Sequence, residues 1–128
     1  MEEKIEYIEY ILLSCIEGNG LFDFYIYDIK TNKINLEELK KIFIYFIDRM
    51  ILEIYEVDQL QKLETLEAKK LVEKNEIWEN YEIYNPLIIT KPLGLEYYHK
   101  KKYKEEITNG IFPDFEIIES EKWIELEF

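Results

Sequence analysis

The residues able to do chemistry in this chain are few and poorly placed for it. His99 is the only histidine, and it stands beside Lys100, Lys101, Lys102 and Lys104 with no base, nucleophile or metal ligand near it in sequence. The single cysteine, Cys15, falls on what reads as an apolar helix stripe, where a thiol acts as a small hydrophobe. The four glycines are scattered at 18, 20, 94 and 110, so no glycine-rich loop is available to cradle a phosphate. No Cys/His spacing suits zinc. The acid pairs Glu2-Glu3, Glu37-Glu38 and Glu105-Glu106 are adjacent in sequence, so on a helix their carboxylates diverge instead of sharing a proton or a metal. The chain is therefore read as a non-enzyme, with no catalytic residue, no metal and no cofactor.

What remains is chemistry of recognition. The stretch 76–84 sets Trp78, Tyr81 and Tyr84 among Glu76, Glu79 and Glu82. The tail 114–128 sets Phe115, Trp123 and Phe128 among Asp114, Glu116, Glu119, Glu121, Glu125 and Glu127, with Lys122 its lone cation. Exposed aromatics anchor protein contacts, and surrounding carboxylates steer a basic partner. Glu76, Trp78, Glu79, Tyr81, Glu82, Tyr84, Glu116, Glu119 and Trp123 are accordingly the expected partner-binding residues. The same alternation also fits an edge strand with one buried and one solvated face.

Charge narrows the partner. The 128 residues carry 28 acidic against 16 basic side chains, a formal net charge of -12, and Arg49 is the only arginine. Such a field repels phosphate backbones and anionic lipid, and attracts cationic proteins. It counts against nucleic acid, whose binders show basic stripes. With 48% hydrophobic and 16% aromatic residues the chain has the makings of one core, read as a single domain over 1–128, with 1–110 as its body and 111–128 as a C-terminal strand segment. The lone cysteine excludes an internal disulfide, the N-terminus lacks a basic and then apolar leader pattern, and no apolar run approaches membrane-spanning length, so a cytoplasmic protein is expected, with no membrane partner. The Ile/Lys/Asn/Glu/Tyr bias suggests an AT-rich, bacterial genome.

The elements that must position these residues follow from periodicity. Ile5, Ile8, Leu12, Cys15 and Ile16 predict a helix over 2–17, closed by Gly18-Asn19-Gly20. Phe22 to Ile29 reads as a short helix, with a strand as the alternative, and Thr31-Asn32-Lys33 as a turn. Asn35 and Glu38 suggest a capping box opening a third helix, striped by Leu36, Leu39, Phe43, Phe46, Ile47 and Met50. A strand is expected over 51–57, and a helix over 63–75 facing inward through Leu63, Leu66, Leu71 and Val72. An extended connection over 77–86 then leads to a strand over 86–90. From Pro92 a last helix runs to Thr108-Asn109-Gly110 with Leu93, Tyr97 and Lys101 on one face, its C-terminal half holding the lysines where the helix dipole favours cations. The expected tail, 115–128, is two short strands around Ser120-Glu121, or one strand and a disordered end.

This order, with Thr90 ending a strand and Gly94 opening the helix after it in LIITKPLGLEYY, resembles the winged-helix domain, of the kind reused in small bacterial toxin-immunity proteins. The resemblance covers roughly 3–104 and implies an α+β fold: a winged-helix-like bundle of three N-terminal helices with a small antiparallel sheet, an inserted helix and a further helix. The presumed wing departs from the pattern in carrying about 28 residues between its strands, where hairpin loops run to about 2–5. The resemblance also implies DNA binding through the third helix, 35–50. That helix offers Glu37 and Glu38 in the turn that would enter the groove, the wrong charge for phosphate or base contacts. The expected function is therefore an acidic inhibitor of the immunity or antitoxin type, occluding a cationic protein toxin such as a nuclease. The rival is a winged-helix transcription regulator using Lys100–Lys104 on DNA. A surface this rich in tyrosine would equally suit a homodimer.

Overall fold

The computed structural model describes residues 2–16, 18–56, 61–79, 87–90 and 92–118, with backbone alone at 87–90 and 92. The first helix, α1 (Glu2–Ile16), buries Tyr7, Ile8, Ile11, Leu12 and Cys15 and places Glu2 and Glu3 in its first turn, where the dipole favours them. Gly18 closes it at φ 85°, a left-handed conformation that glycine adopts without side-chain strain. The expected turn Asn19-Gly20 is also a two-residue strand, β1. The aromatic stretch that follows is helical and not a strand: α2 (Leu21–Phe24) runs directly into a π-helical turn over Tyr25–Ile29. The wider turn suits a single bulge in which Asp28 is directed inward.

The third helix, α3 (Leu36–Asp48), buries Leu39, Ile42, Phe43, Phe46 and Ile47. Asn35 is its N-cap, but the capping box does not form. The Asn35 carbonyl accepts the Glu38 and Leu39 amides, and Glu38 turns instead to Lys41 and to the Glu116 amide. Met50 leaves the stripe, 54% exposed, because the chain reverses there through φ 62°.

The sheet is antiparallel throughout, in the order β1-β4-β2-β3. Strand β2 (Leu52–Glu56) alternates, with Leu52 and Ile54 buried. It pairs with β4 (Leu87–Thr90) in a register that sets Leu52 opposite Thr90 and Tyr55 opposite Leu87. Gly20 of β1 lies opposite Leu87 on the other edge of β4. The long interval between β2 and β4 is not an open loop. It contains β3 (Gln61–Lys62), α4 (Thr65–Val72) and α5 (Asn75–Glu79). Helix α4 faces inward through Ala68 and Val72. Leu66, expected inside, is 62% exposed. The i, i+4 pair of small side chains lets α4 approach α3 closely, and that choice of face rotates Leu66 outward. Residues 77–79, the start of the expected irregular or extended connection, belong instead to a helix, α5 (Asn75–Glu79).

After β4 come α6 (Pro92–His99) and α7 (Lys102–Thr108), two helices where one was expected, broken at Lys101 with φ 54°. Gly110 at φ 73° ends α7 as anticipated. The segment beyond it is not a free strand. Phe112 and Phe115 enter the core, Ile117 bridges Ile34, and the Ile118 amide donates to the Lys33 carbonyl at 2.7 Å. The fold is α+β: three N-terminal helices, a small antiparallel sheet, inserted helices and a closing helical pair. The core is aromatic at its centre, with Trp78 stacked on Phe43 at 5.3 Å and Phe24 edge-on to Phe43 at 5.1 Å.

Candidate protein-binding surface

Helix α3 is the element that the winged-helix resemblance would make a DNA reader, and the cations on and beside it have partners within the chain. Lys40 is buried, its ammonium donating to the Glu73 carbonyl at 2.9 Å, to the Asn75 side chain and to Glu37. Lys41 pairs with Glu38 at 2.8 Å and donates to the Asp114 carbonyl at 3.1 Å. Arg49 donates to Glu106 at 2.8 Å and lies over the Tyr45 ring at 4.6 Å. The inserted α4–α5 unit supplies Lys40's partners from one side, and Lys69 of α4 binds Asp48 at 3.0 Å near the end of α3. What α3 leaves exposed includes Glu37 and Asp48, which are acidic.

The expected binding residues divide three ways. Glu76, Glu79 and Glu116 are exposed, as a partner-binding role requires. Trp78 is not. It is fully buried, stacked on Phe43, and its indole Nε1–H donates to the Val72 carbonyl at 2.8 Å, satisfying the last turn of α4. The assignment of Trp78 to a partner surface is therefore corrected: its acidic neighbours face solvent because α5 is amphipathic, and the indole is the apolar side of that helix. Phe115, read as an exposed aromatic of the tail, is likewise buried. Tyr81, Glu82, Tyr84, Glu119 and Trp123 lie outside the described residues.

The basic run has a local explanation. Lys100 pairs with Glu96 at 2.7 Å, and that contact, reinforced by the charge of Lys102, holds the Glu96 carboxyl below its usual range. Lys101 and Lys104 line a shallow hollow with Glu2, Glu6 and Glu9 of α1. The dipole argument holds only for the end of α6. Lys102 and Lys104 fall in the first turn of α7, the positive end, where the dipole does not favour them. His99 is exposed, with its ring at 5.4 Å from that of Tyr98. Cys15 is buried, and burial pushes its thiol well above the ordinary value, which leaves it little nucleophilic thiolate. Among the described residues no group of three or more His, Cys, Asp or Glu is placed to hold a metal ion, and no helix is long and apolar enough to cross a membrane.

Two polar clusters, one buried and one partly buried, were invisible in the sequence. In the first, Asp28 of the π-turn accepts the Tyr7 hydroxyl at 2.8 Å and the Tyr10 hydroxyl at 3.1 Å, and lies 3.9 Å from the buried Lys33 ammonium. Burial raises the Asp28 carboxyl above its usual value against the lowering pull of these three partners. In the second, Glu106 of α7 is the hub. Its Oε1 accepts the Tyr45 and Tyr97 hydroxyls and its Oε2 accepts Arg49. Burial and that carboxylate push the Tyr45 phenol up to about 12 and the Tyr97 phenol further, so both remain donors. Tyr45 and Arg49 lie 61 and 57 positions from Glu106 in the chain, separations no local pattern encodes.

No family model, curated protein or solved structure matches the chain.

Proposed function

We propose that this protein is an acidic inhibitor of the immunity or antitoxin type, binding a cationic protein toxin, plausibly a nuclease, and occluding it stoichiometrically. The observation that carries the reading is the state of the charges on α3. In a chain of net charge -12, Lys40, Lys41 and Arg49 each pair with a carboxylate of the same chain, Glu37, Glu38 and Glu106, with Lys41 and Arg49 still partly exposed. Meanwhile Glu2, Glu3, Glu6, Glu73, Glu76 and Glu79 remain exposed. A surface of that sign attracts a polycation, raises its association rate by roughly 10 to 1,000-fold at low salt, and does so in a salt-dependent way. The scaffold we propose is a winged-helix variant. Three helices precede the antiparallel β2–β4 pair, and the inserted α4–α5 unit, packed on α3, adapts it away from DNA.

With Trp78 in the core, the α5 face offers carboxylates without an aromatic anchor, so its contribution is to association rate. The test has two parts. The purified chain should co-purify with and inhibit the product of its adjacent gene, and Glu76→Lys/Glu79→Lys should slow that association several-fold at low salt with little change at high salt. Retention of DNA of any sequence at low salt would replace this reading with the winged-helix DNA-binding regulator. An association rate unaffected by the double charge reversal would remove the α5 face from the contact.

A further inference from the structure

The junction of α3, α6 and α7 contains a cavity of about 350 Å3, lined by Arg49, Ile51, Leu93, Glu96, Tyr97, Lys102 and Glu106. Its inner wall is apolar. Ile51 and Tyr97 are almost fully buried, and Leu93 completes the wall with 49% of its surface open. The charged lining is balanced, Arg49 and Lys102 against Glu96 and Glu106, and Lys100, outside the lining, pairs with Glu96. Neither carboxylate is a bare negative charge. Glu96 is paired with Lys100, and Glu106 takes three donors, two of them the Tyr45 and Tyr97 hydroxyls.

Arg49 is held as a bound anion would need it. One of its nitrogens is fixed by Glu106, and the guanidinium plane lies over the Tyr45 ring at 4.6 Å. A guanidinium carries five N–H donors, so fixing it through one nitrogen leaves an edge able to take a second anion. The side chain is 44% exposed, which leaves that edge accessible. Across the cavity, Lys102 is exposed and makes no ion pair among the described residues, although its charge is felt by Glu96. Two cations at the mouth and an apolar wall behind them are complementary to one chemistry: a monocarboxylate joined to a short apolar body.

We propose that this cavity binds an amphiphilic monocarboxylate, its carboxylate between Arg49 and Lys102 and its chain against Ile51, Leu93 and Tyr97. The inference is independent of the inhibitor reading, since it concerns a cavity and a small ligand. The experiment is a titration of the full chain with octanoate, followed through backbone amide shifts. Saturable shifts confined to residues 49–51, 93–97 and 102–106 are expected, with butyrate binding more weakly. Octyltrimethylammonium, which has the chain and the wrong charge, should leave those amides unmoved. Lys102→Gln, at an exposed position that leaves the fold intact, should weaken octanoate about tenfold, the order of one charge-assisted hydrogen bond. Leu93→Asp should abolish binding. The proposal is overturned if octanoate causes no saturable shift or shifts elsewhere. It is overturned equally if octyltrimethylammonium binds as well, if inorganic phosphate displaces octanoate at equal concentration, or if Lys102→Gln has no effect.

Discussion

Replacing Trp78 separates a core residue from a contact residue. The indole is fully buried, stacks on Phe43 at 5.3 Å with planes 17° apart, and donates to the Val72 carbonyl at 2.8 Å. Burying a side chain of this size removes about 150–250 Å2 from water. At about 25 cal/mol per Å2 that is roughly 4–6 kcal/mol of transfer free energy. Measured truncations of buried Trp or Phe to Ala cost about 3–5 kcal/mol. Trp78→Ala should therefore lower the unfolding free energy by about 3–5 kcal/mol. For a chain of this length that is a fall in midpoint of about 10–20 °C. Trp78→Phe retains the stacking and loses the hydrogen bond, exposing the Val72 carbonyl as an unmet acceptor, and should cost about 1–3 kcal/mol. The assay is urea unfolding by circular dichroism, combined with the association rate to the partner per folded molecule. The reasoning is refuted if Trp78→Ala unfolds within about 1 kcal/mol of the parent while losing partner binding, for the indole would then be acting at the surface.

Three further outcomes test other parts of the structure. Asp28→Leu removes the acceptor shared by Tyr7, Tyr10 and Lys33 and should cost about 3–5 kcal/mol. Asp28→Asn, close in shape to the protonated carboxyl that burial favours, should cost under about 2 kcal/mol. Because the folded-state value of Asp28 is raised above its unfolded value, the carboxyl's contribution is greatest below the ordinary carboxylate range and is lost as pH rises through the raised value. Urea unfolding across pH should accordingly show the parent losing ground to Asp28→Asn as pH rises, and the opposite slope would reverse the assigned direction. At Gly110, φ is 73° and nothing lies within 4 Å of an added Cβ. Gly110→Ala should thus cost only the backbone term, about 1–2 kcal/mol, and Gly110→Asn less, measured by thermal unfolding. Lys40→Ala releases the Glu73 carbonyl and Asn75 from α3 and should cost about 1–3 kcal/mol without creating affinity for DNA in a gel-shift assay.

The long, strongly periodic elements were legible. The α1 stripe, the α3 stripe from Leu39 to Ile47, the strand around Leu52 and Ile54, the strand after Pro86 and the glycine stop at 110 all follow from spacing and turn chemistry acting within a few residues. Short elements were not. Residues 77–79 read as the start of an irregular or extended connection, whereas helical geometry lets Ile77 and Trp78 reach the core while Asn75 meets Lys40. The single helix expected from Pro92 to Thr108 breaks at Lys101. The break lets Tyr97 and Tyr103 both point inward while Tyr103 donates to Glu9 at 2.7 Å across to α1. Of the candidate binding set, the carboxylates Glu76, Glu79 and Glu116 are exposed. Trp78 was misplaced because composition names the residues of an amphipathic element without saying which face turns inward.

The sequence by itself determined the sign and size of the electrostatic field, the absence of a local catalytic or metal-binding motif, and the α+β class, because charge sums over the chain and helix and strand periods are set by neighbours. Only the tertiary structure decided which charges face water. Lys33 and Lys40 are buried, Arg49 is bound to Glu106, and Trp78 stacks on Phe43, each through a partner far away in the chain or supplied by another element. Burial and pairing depend on what packing brings together, and in this fold α4, α5 and α7 draw Lys40 and Tyr45 of α3 into internal contacts while Glu37, Lys41 and Asp48 stay exposed.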